Sequence, residues 1–205
     1  MPSDERTDGD WPIIALVASA GGIDALTRAL APLPPTISAS FIVLLHMAPD
    51  QGSSLPAILG RACALDVRAA AEGDTPAPGR VLVAPPGCHI LVGRDLRIAL
   101  IPSGAFPPSR PSADLLLTTL AVAAGPRAVA VVLSGQGHDG ATGATAVHHF
   151  GGAVLATDEA SSRAFSMPSA TIHRDSAVDH IVHLDQLGEL LAQLTTIPAR
   201  QPREP

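Results

Sequence analysis

The sequence predicts an α/β fold: one domain with a doubly wound, mainly parallel sheet, helices on both faces and a small antiparallel hairpin. Three observations carry that expectation. Short, near-continuous apolar runs such as 13–19 and 40–46 alternate with Ala/Leu-rich amphipathic stretches. That is how strands buried on both faces and joined by crossover helices read. Pro85-Pro86-Gly87 and Gly93-Arg94-Asp95 cut one middle portion into strands too closely spaced for helices between them. Finally, 205 residues at 46% hydrophobic content suit one sizeable core, and no repeat or linker divides the chain.

Taken in order, residues 1–11 form an acidic, polar tail, and the domain is expected over 12–196. A strand at 13–19 ends in Ser19-Ala20-Gly21-Gly22 and leads into a helix over 23–31. A strand over 40–46 precedes a helix over 52–63. Strands at 80–84, 89–92 and 96–101 follow, the last two as the hairpin. Residues 112–124 form a helix with Pro111 at its entrance, 128–133 a strand and 141–150 a helix. After a strand at 153–156 and a helical turn at 168–173 comes a strand at 180–184. Asp185 is expected to cap a last helix over 186–196. Residues 197–205 are rich in Pro and Arg and are expected to be a disordered tail.

Composition removes several function classes. No apolar stretch reaches the eighteen or so residues of a membrane span, and the N-terminus lacks the charged and apolar regions of a signal peptide. A cytoplasmic protein that is not membrane-inserted is therefore expected. The net charge of −6, the lack of any basic run and the 2% aromatic content argue against a nucleic-acid partner. The chain has no Lys, Asn or Tyr, so P-loop, Schiff-base and pyridoxal chemistry are excluded. Cys63 and Cys88 can build neither a disulfide framework nor a zinc site and read as ordinary thiols. His148 and His149 are neighbours on a helix, and His180 and His183 fall on opposite sides of a strand, so no metal site is expected.

In doubly wound sheets ligands bind beyond the carboxyl ends of the strands, and three chemically useful residues stand at such ends. Ser19 follows the first strand at a turn into a helix, where amide groups at Ala20, Gly21 and Gly22 could hold an oxyanion. The plainer role for Ser19 is a helix cap. His46 closes the second strand. An imidazole titrates near ~6.5 and can take a serine proton, although a core histidine fits the same pattern. Asp139 follows the strand at 128–133, in Ser134-Gly135-Gln136-Gly137-His138-Asp139-Gly140, where it can orient an imidazole or cap the helix it precedes. Together they supply nucleophile, base and orienting acid. A rival reading takes Gly135-x-Gly137-x-x-Gly140 as a dinucleotide fingerprint, with Asp158 as the ribose acid. It leaves Ser19 and His46 unexplained. A non-catalytic interaction module is the remaining alternative.

The motifs Val17-Ala18-Ser19-Ala20-Gly21-Gly22, Leu45-His46-Met47 and 133–140 resemble the catalytic domain of the protein-glutamate methylesterases of bacterial chemotaxis (CheB-type). Further likeness comes from Ser109-Arg110-Pro111-Ser112-Ala113-Asp114, from Asp158-Glu159-Ala160-Ser161 and from Phe165-Ser166-Met167-Pro168. The resemblance runs from about residue 13 to 194. It implies a Ser19–His46–Asp139 triad with Gln136 beside the oxyanion site, and no metal or organic cofactor. It also implies hydrolysis of γ-glutamyl methyl esters on the cytoplasmic domain of methyl-accepting chemoreceptors, with methanol as product and glutamine deamidation in some members. The family often carries Thr where this chain has Ala20, and Met where it has Gln136. Members usually have an N-terminal receiver domain; only about ten polar residues precede the first strand here, so a stand-alone catalytic domain is expected.

Overall fold

Alternation along the first strand sets the architecture. In β1 (Ile13–Ala18) every residue is buried, yet successive side chains enter different cores. Ile14, Leu16 and Ala18 belong to one cluster, and Ile13, Ala15 and Val17 to the other. A strand that is apolar on both faces needs helices on both sides, and the chain supplies them. The computed structural model describes residues 11–48, 53–104 and 109–195. Of the expected terminal tails at 1–11 and 197–205, all but Trp11 lies outside the described residues, as does Gly52.

Strand β1 pairs in parallel with β2 (Ser40–Leu45) on one side and β7 (Ala128–Val132) on the other. The sheet has seven strands in the order β3-β4-β2-β1-β7-β8-β9, all parallel. Here β3 is Asp66–Ala69, β4 Arg80–Val83, β8 Ala153–Thr157 and β9 His180–Val182. An antiparallel pair, β5 (Cys88–Val92) and β6 (Ile98–Pro102), stands apart from the sheet. Helices α1 (Gly22–Leu30), α2 (Leu55–Ala62) and α6 (Leu184–Leu194) feed one core through Leu26, Leu30, Leu59, Leu187 and Leu191. Helices α3 (Ala113–Ala124), α4 (Ala141–His149) and α5 (Ser166–Ile172), with the hairpin, feed the other through Leu116, Leu120, Val147, Met167 and Ile90. Phe41 is fully buried at the centre of the first core, where truncation to Ala would cost about 3–5 kcal/mol.

Two local expectations are corrected. The strand β3 was not foreseen, and the last helix starts at Leu184. Its cap is His183, whose Nδ1 accepts from Asp185 N–H at 3.3 Å. Asp185 therefore sits inside the first turn, where its charge suits the helix dipole. Both cysteines are free and half-buried. The strand order reverses direction between β1 and β7, so the topology opens its crevice at the carboxyl ends of those two strands.

Candidate active site

At that crevice the chain leaves β1 in a tight, tied-down turn. Ser19 N–H donates to Ser134 O at 3.0 Å, which links the ends of β1 and β7. Ser19 O in turn accepts from Gly22 N–H at 2.8 Å. Gly21 has φ +78°, the left-handed region that glycine adopts without strain. At Gly22 a Cβ would come within 2.7 Å of Ala18 Cβ, so glycine lets α1 start this close to the end of β1. The cap of α1 is Gly21, with no side-chain cap bond. Ser19 thus does not serve as the helix cap, and its half-buried side chain lines the cleft above the sheet.

His46 leaves β2 beside this turn, with its N–H on Ala18 O at 3.0 Å. Its Nε2 lies 2.9 Å from Asp139 Oδ2. A carboxylate can only accept, so Nε2 carries the proton and Nδ1 is left with its lone pair. Ser19 and His46 line the same cleft, of 780 Å³, together with Ile23, Met47, Ile58 and Arg163. Both also line a smaller hollow, with Arg110 and Gln136.

Asp139 is 8% exposed and collects four donors. Besides His46, Ala113 N–H reaches Oδ2 at 2.7 Å, while Asp114 N–H at 3.0 Å and Ser112 Oγ–H at 3.1 Å reach Oδ1. Burial pushes the carboxyl toward the neutral form. The His46 bond and the two backbone N–H groups outweigh it and hold Asp139 below the usual carboxylate range. Two of those donors open α3. Asp139 therefore caps a helix, but it is α3 rather than α4, the helix it precedes.

The cap itself is buttressed. Ser112 is the N-cap of α3, and its N–H donates to Nδ1 of His89 at 2.9 Å. His89 is buried on the hairpin, and that bond places its ring proton on Nε2. The hairpin thus props the helix end that holds the carboxylate. Neither Ser112, His89 nor Asp114 was singled out for a role from the sequence. The signal was the segment Ser109-Arg110-Pro111-Ser112-Ala113-Asp114, which entered as part of the family resemblance with no role for its residues.

The amides fall into two groups. Gly22 N–H is committed to Ser19 O and is not free to hold an oxyanion. Ala20, Gly21 and Gln136 N–H have no hydrogen-bond partner among the described residues. The dinucleotide reading meets a physical obstacle at the same loop. Gly135 N–H donates to Ala164 O at 2.8 Å, Gly137 N–H to Ser166 Oγ at 3.1 Å and Gly140 N–H to Asp114 Oδ1 at 2.9 Å. The amides that would cradle a pyrophosphate are taken, and Asp114 and Asp139 would repel it. Asp158 turns onto Ser161 N–H at 3.0 Å, closing its own loop.

An imidazole oriented by a buried carboxylate, in one cleft with a hydroxyl and the unpaired amide of Gly21, is equipped for acyl transfer on a doubly wound α/β scaffold. Comparison with known proteins narrows the class. The profile of the CheB methylesterase family matches residues 14–191, and the chain belongs to that family. A protein-glutamate methylesterase/protein-glutamine glutaminase of Cereibacter sphaeroides is 39% identical over 198 residues, spanning 94% of this chain and 53% of that protein. The corresponding protein of Pectobacterium atrosepticum is 36% identical over 187 residues, 89% of this chain and 53% of its own length. The chain thus spans about half the length of these relatives. The crystal structure of the Thermotoga maritima CheB methylesterase catalytic domain superposes with a TM-score of 0.84 at 29% identity, covering 90% of this chain and 98% of that one.

Proposed function

We propose that this chain is a serine hydrolase that removes methyl groups from γ-glutamyl methyl esters on the cytoplasmic domain of chemoreceptors and releases methanol. Deamidation of receptor glutamines would use the same acyl chemistry with ammonia leaving. The relatives bear both activities in their names. The observation that carries the reading is the 2.9 Å contact of His46 Nε2 with Asp139, in a cleft His46 shares with Ser19.

In this mechanism Ser19 Oγ attacks the ester carbonyl while Nδ1 of His46 accepts its proton. Asp139 holds the proton on Nε2 and stabilises the imidazolium. The developing oxyanion is met by N–H groups of Ala20, Gly21 and Gln136. His46 then protonates the departing methoxide, and a water molecule hydrolyses the acyl-enzyme by the same route. No step needs a metal or an organic cofactor. Among the described residues no helix is long and apolar enough to cross a membrane.

The test is methanol release from methyl-labelled receptor cytoplasmic fragments. Ser19→Ala should lower the rate by several powers of ten, since the activated oxygen is gone. A variant keeping most of the wild-type rate would remove Ser19 from the mechanism.

A further inference from the structure

Arg163 lines the cleft from a firmly held base. Ala164 N–H donates to Ser134 Oγ at 2.9 Å, and Ala164 O accepts from Gly135 N–H at 2.8 Å. On the other side Ser162 Oγ bonds Thr157 Oγ1 at 2.8 Å, and Ser161 Oγ accepts from Leu184 N–H at 3.0 Å. The loop is thus fixed to the ends of β7 and β8 and to α6. Arg163 Cβ would lie only 2.8 Å from a Cβ placed on Gly21, so the side chain starts against the nucleophile turn.

The guanidinium has no ion-pair partner among the described residues, although it lines the same cleft as Ser19 and His46. Asp24, the acid in that cleft, pairs with Arg28 at 3.4 Å, a guanidinium it shares with Asp185. Arg110, beyond Ser19, spends Nη1 on Gly104 O at 2.8 Å. In a chain of net charge −6, an anchored and unpaired cation lining the cleft is not part of a general positive field. Ile23, 47% exposed, and Ile58 line the same space. The cleft therefore offers one unpaired cation, with Asp24 tied to Arg28, and an apolar wall.

We propose that Arg163 is a specificity-determining residue that binds a carboxylate on the substrate polypeptide beside the ester to be cleaved. The proposal rests on the methylesterase reading of the site. A polypeptide laid across the cleft displaces water from the pair, and a charge-assisted bond formed there is stronger than one in open solvent. Arg163 thereby selects acidic segments and sets KM more than kcat.

The experiment uses three labelled peptides of equal length with a central γ-methyl glutamate flanked by Glu, Gln or Lys. Binding is read by anisotropy on the Ser19→Ala protein, alone and combined with Arg163→Gln or Arg163→Glu; methanol release is read with Ser19 intact. The Glu-flanked peptide should bind about tenfold more tightly than the Gln-flanked one. Arg163→Gln should abolish that preference, and Arg163→Glu should transfer it to the Lys-flanked peptide, an inversion that misfolding cannot produce. A preference that survives Arg163→Gln, or failure of every peptide to bind, overturns the proposal and leaves a solvated surface arginine. Arg163-dependent binding with no methanol from any peptide would instead retire the methylesterase reading alone.

Discussion

Asp139 and Asp114 exchange helix caps. Asp139, just ahead of α4, accepts from Ala113 and Asp114 N–H in the first turn of α3. Asp114, inside that turn, accepts at Oδ1 from Gly140 N–H at 2.9 Å and Gly143 N–H at 2.8 Å, at the start of α4. The exchange requires the two helices to approach closely, and at Gly143 a Cβ would lie 2.5 Å from Leu117 Cβ. The carboxylate facing His46 is therefore positioned by a two-helix junction, not by its own loop.

Asp114 can be tested by separating its charge from its acceptor role. Burial, and beyond it the nearby Asp139, raise its carboxyl above the usual range, against the Gly143 and Gly140 bonds. Both amides use Oδ1, so Asp114→Asn keeps the acceptor and removes the disfavoured charge. It should fold with a Tm at or above that of wild type. Asp114→Ala leaves both amides unpaired and should cost about 1–2 kcal/mol, roughly 2–8 °C in Tm for a chain this size. Calorimetry showing equal losses in both variants would mean that the bonds to Oδ1 contribute nothing.

Asp139 should show the opposite pH linkage. Its folded-state carboxyl binds a proton more weakly than the unfolded one, whose pKa lies near ~3.9. The stabilisation is complete above that value and is lost as pH falls through the lower folded value. Asp139→Asn should flatten this acid loss, visible in urea unfolding between pH 7 and 2. At neutral pH the amide has one acceptor atom for four converging donors, so the variant should also be destabilised by about 1–3 kcal/mol. Turnover should fall by roughly 10³–10⁴. Wild-type stability with lost turnover would restrict Asp139 to chemistry.

How far the sequence reveals this arrangement depends on the kind of signal. Parallel strands buried on both faces leave uninterrupted apolar runs, so β1, β2 and β7 could be read directly, and with them Ser19, His46 and Asp139 at their ends. Strand β3 lies at the sheet edge and reads Asp-Val-Arg-Ala, half polar and without a buried residue. Edge strands carry charge to discourage further pairing, and that erases the apolar signature. The exchanged caps were hidden because they join residues 25 to 29 positions apart through loops, with no periodicity to betray them. Gly22 is a local case: its amide looked free until the turn closed onto Ser19 O, three positions earlier.

Ser134 ties three of these parts together. Its buried hydroxyl donates to Ala20 O at 2.7 Å and accepts from Ala164 N–H, while its carbonyl holds Ser19 N–H. Ser134→Ala would leave a carbonyl of the nucleophile turn and an amide of the Arg163 loop without partners. We expect a loss of about 1–3 kcal/mol and, because the turn loosens at Ser19, a fall in kcat of roughly tenfold. A lowered Tm with unchanged kcat for methanol release would limit Ser134 to stability.

His89 touches neither Ser19 nor His46, yet it should matter to catalysis through Ser112. His89 Nδ1 holds Ser112 N–H, and Ser112 Oγ–H holds Asp139 Oδ1. His89→Leu keeps the site apolar but strands the Ser112 amide in a buried position, which should cost about 1–3 kcal/mol. The cap then shifts, and kcat should fall several-fold with KM little changed. Ser112→Ala removes the other link of the same chain. If the links act in series, the double variant should lose less than the two single losses combined, with an interaction energy in kcat of about 0.5–1 kcal/mol in the mutant cycle. Strict additivity of the rate effects would show that His89 only packs the hairpin, and that the carboxylate is held by the α3 amides alone.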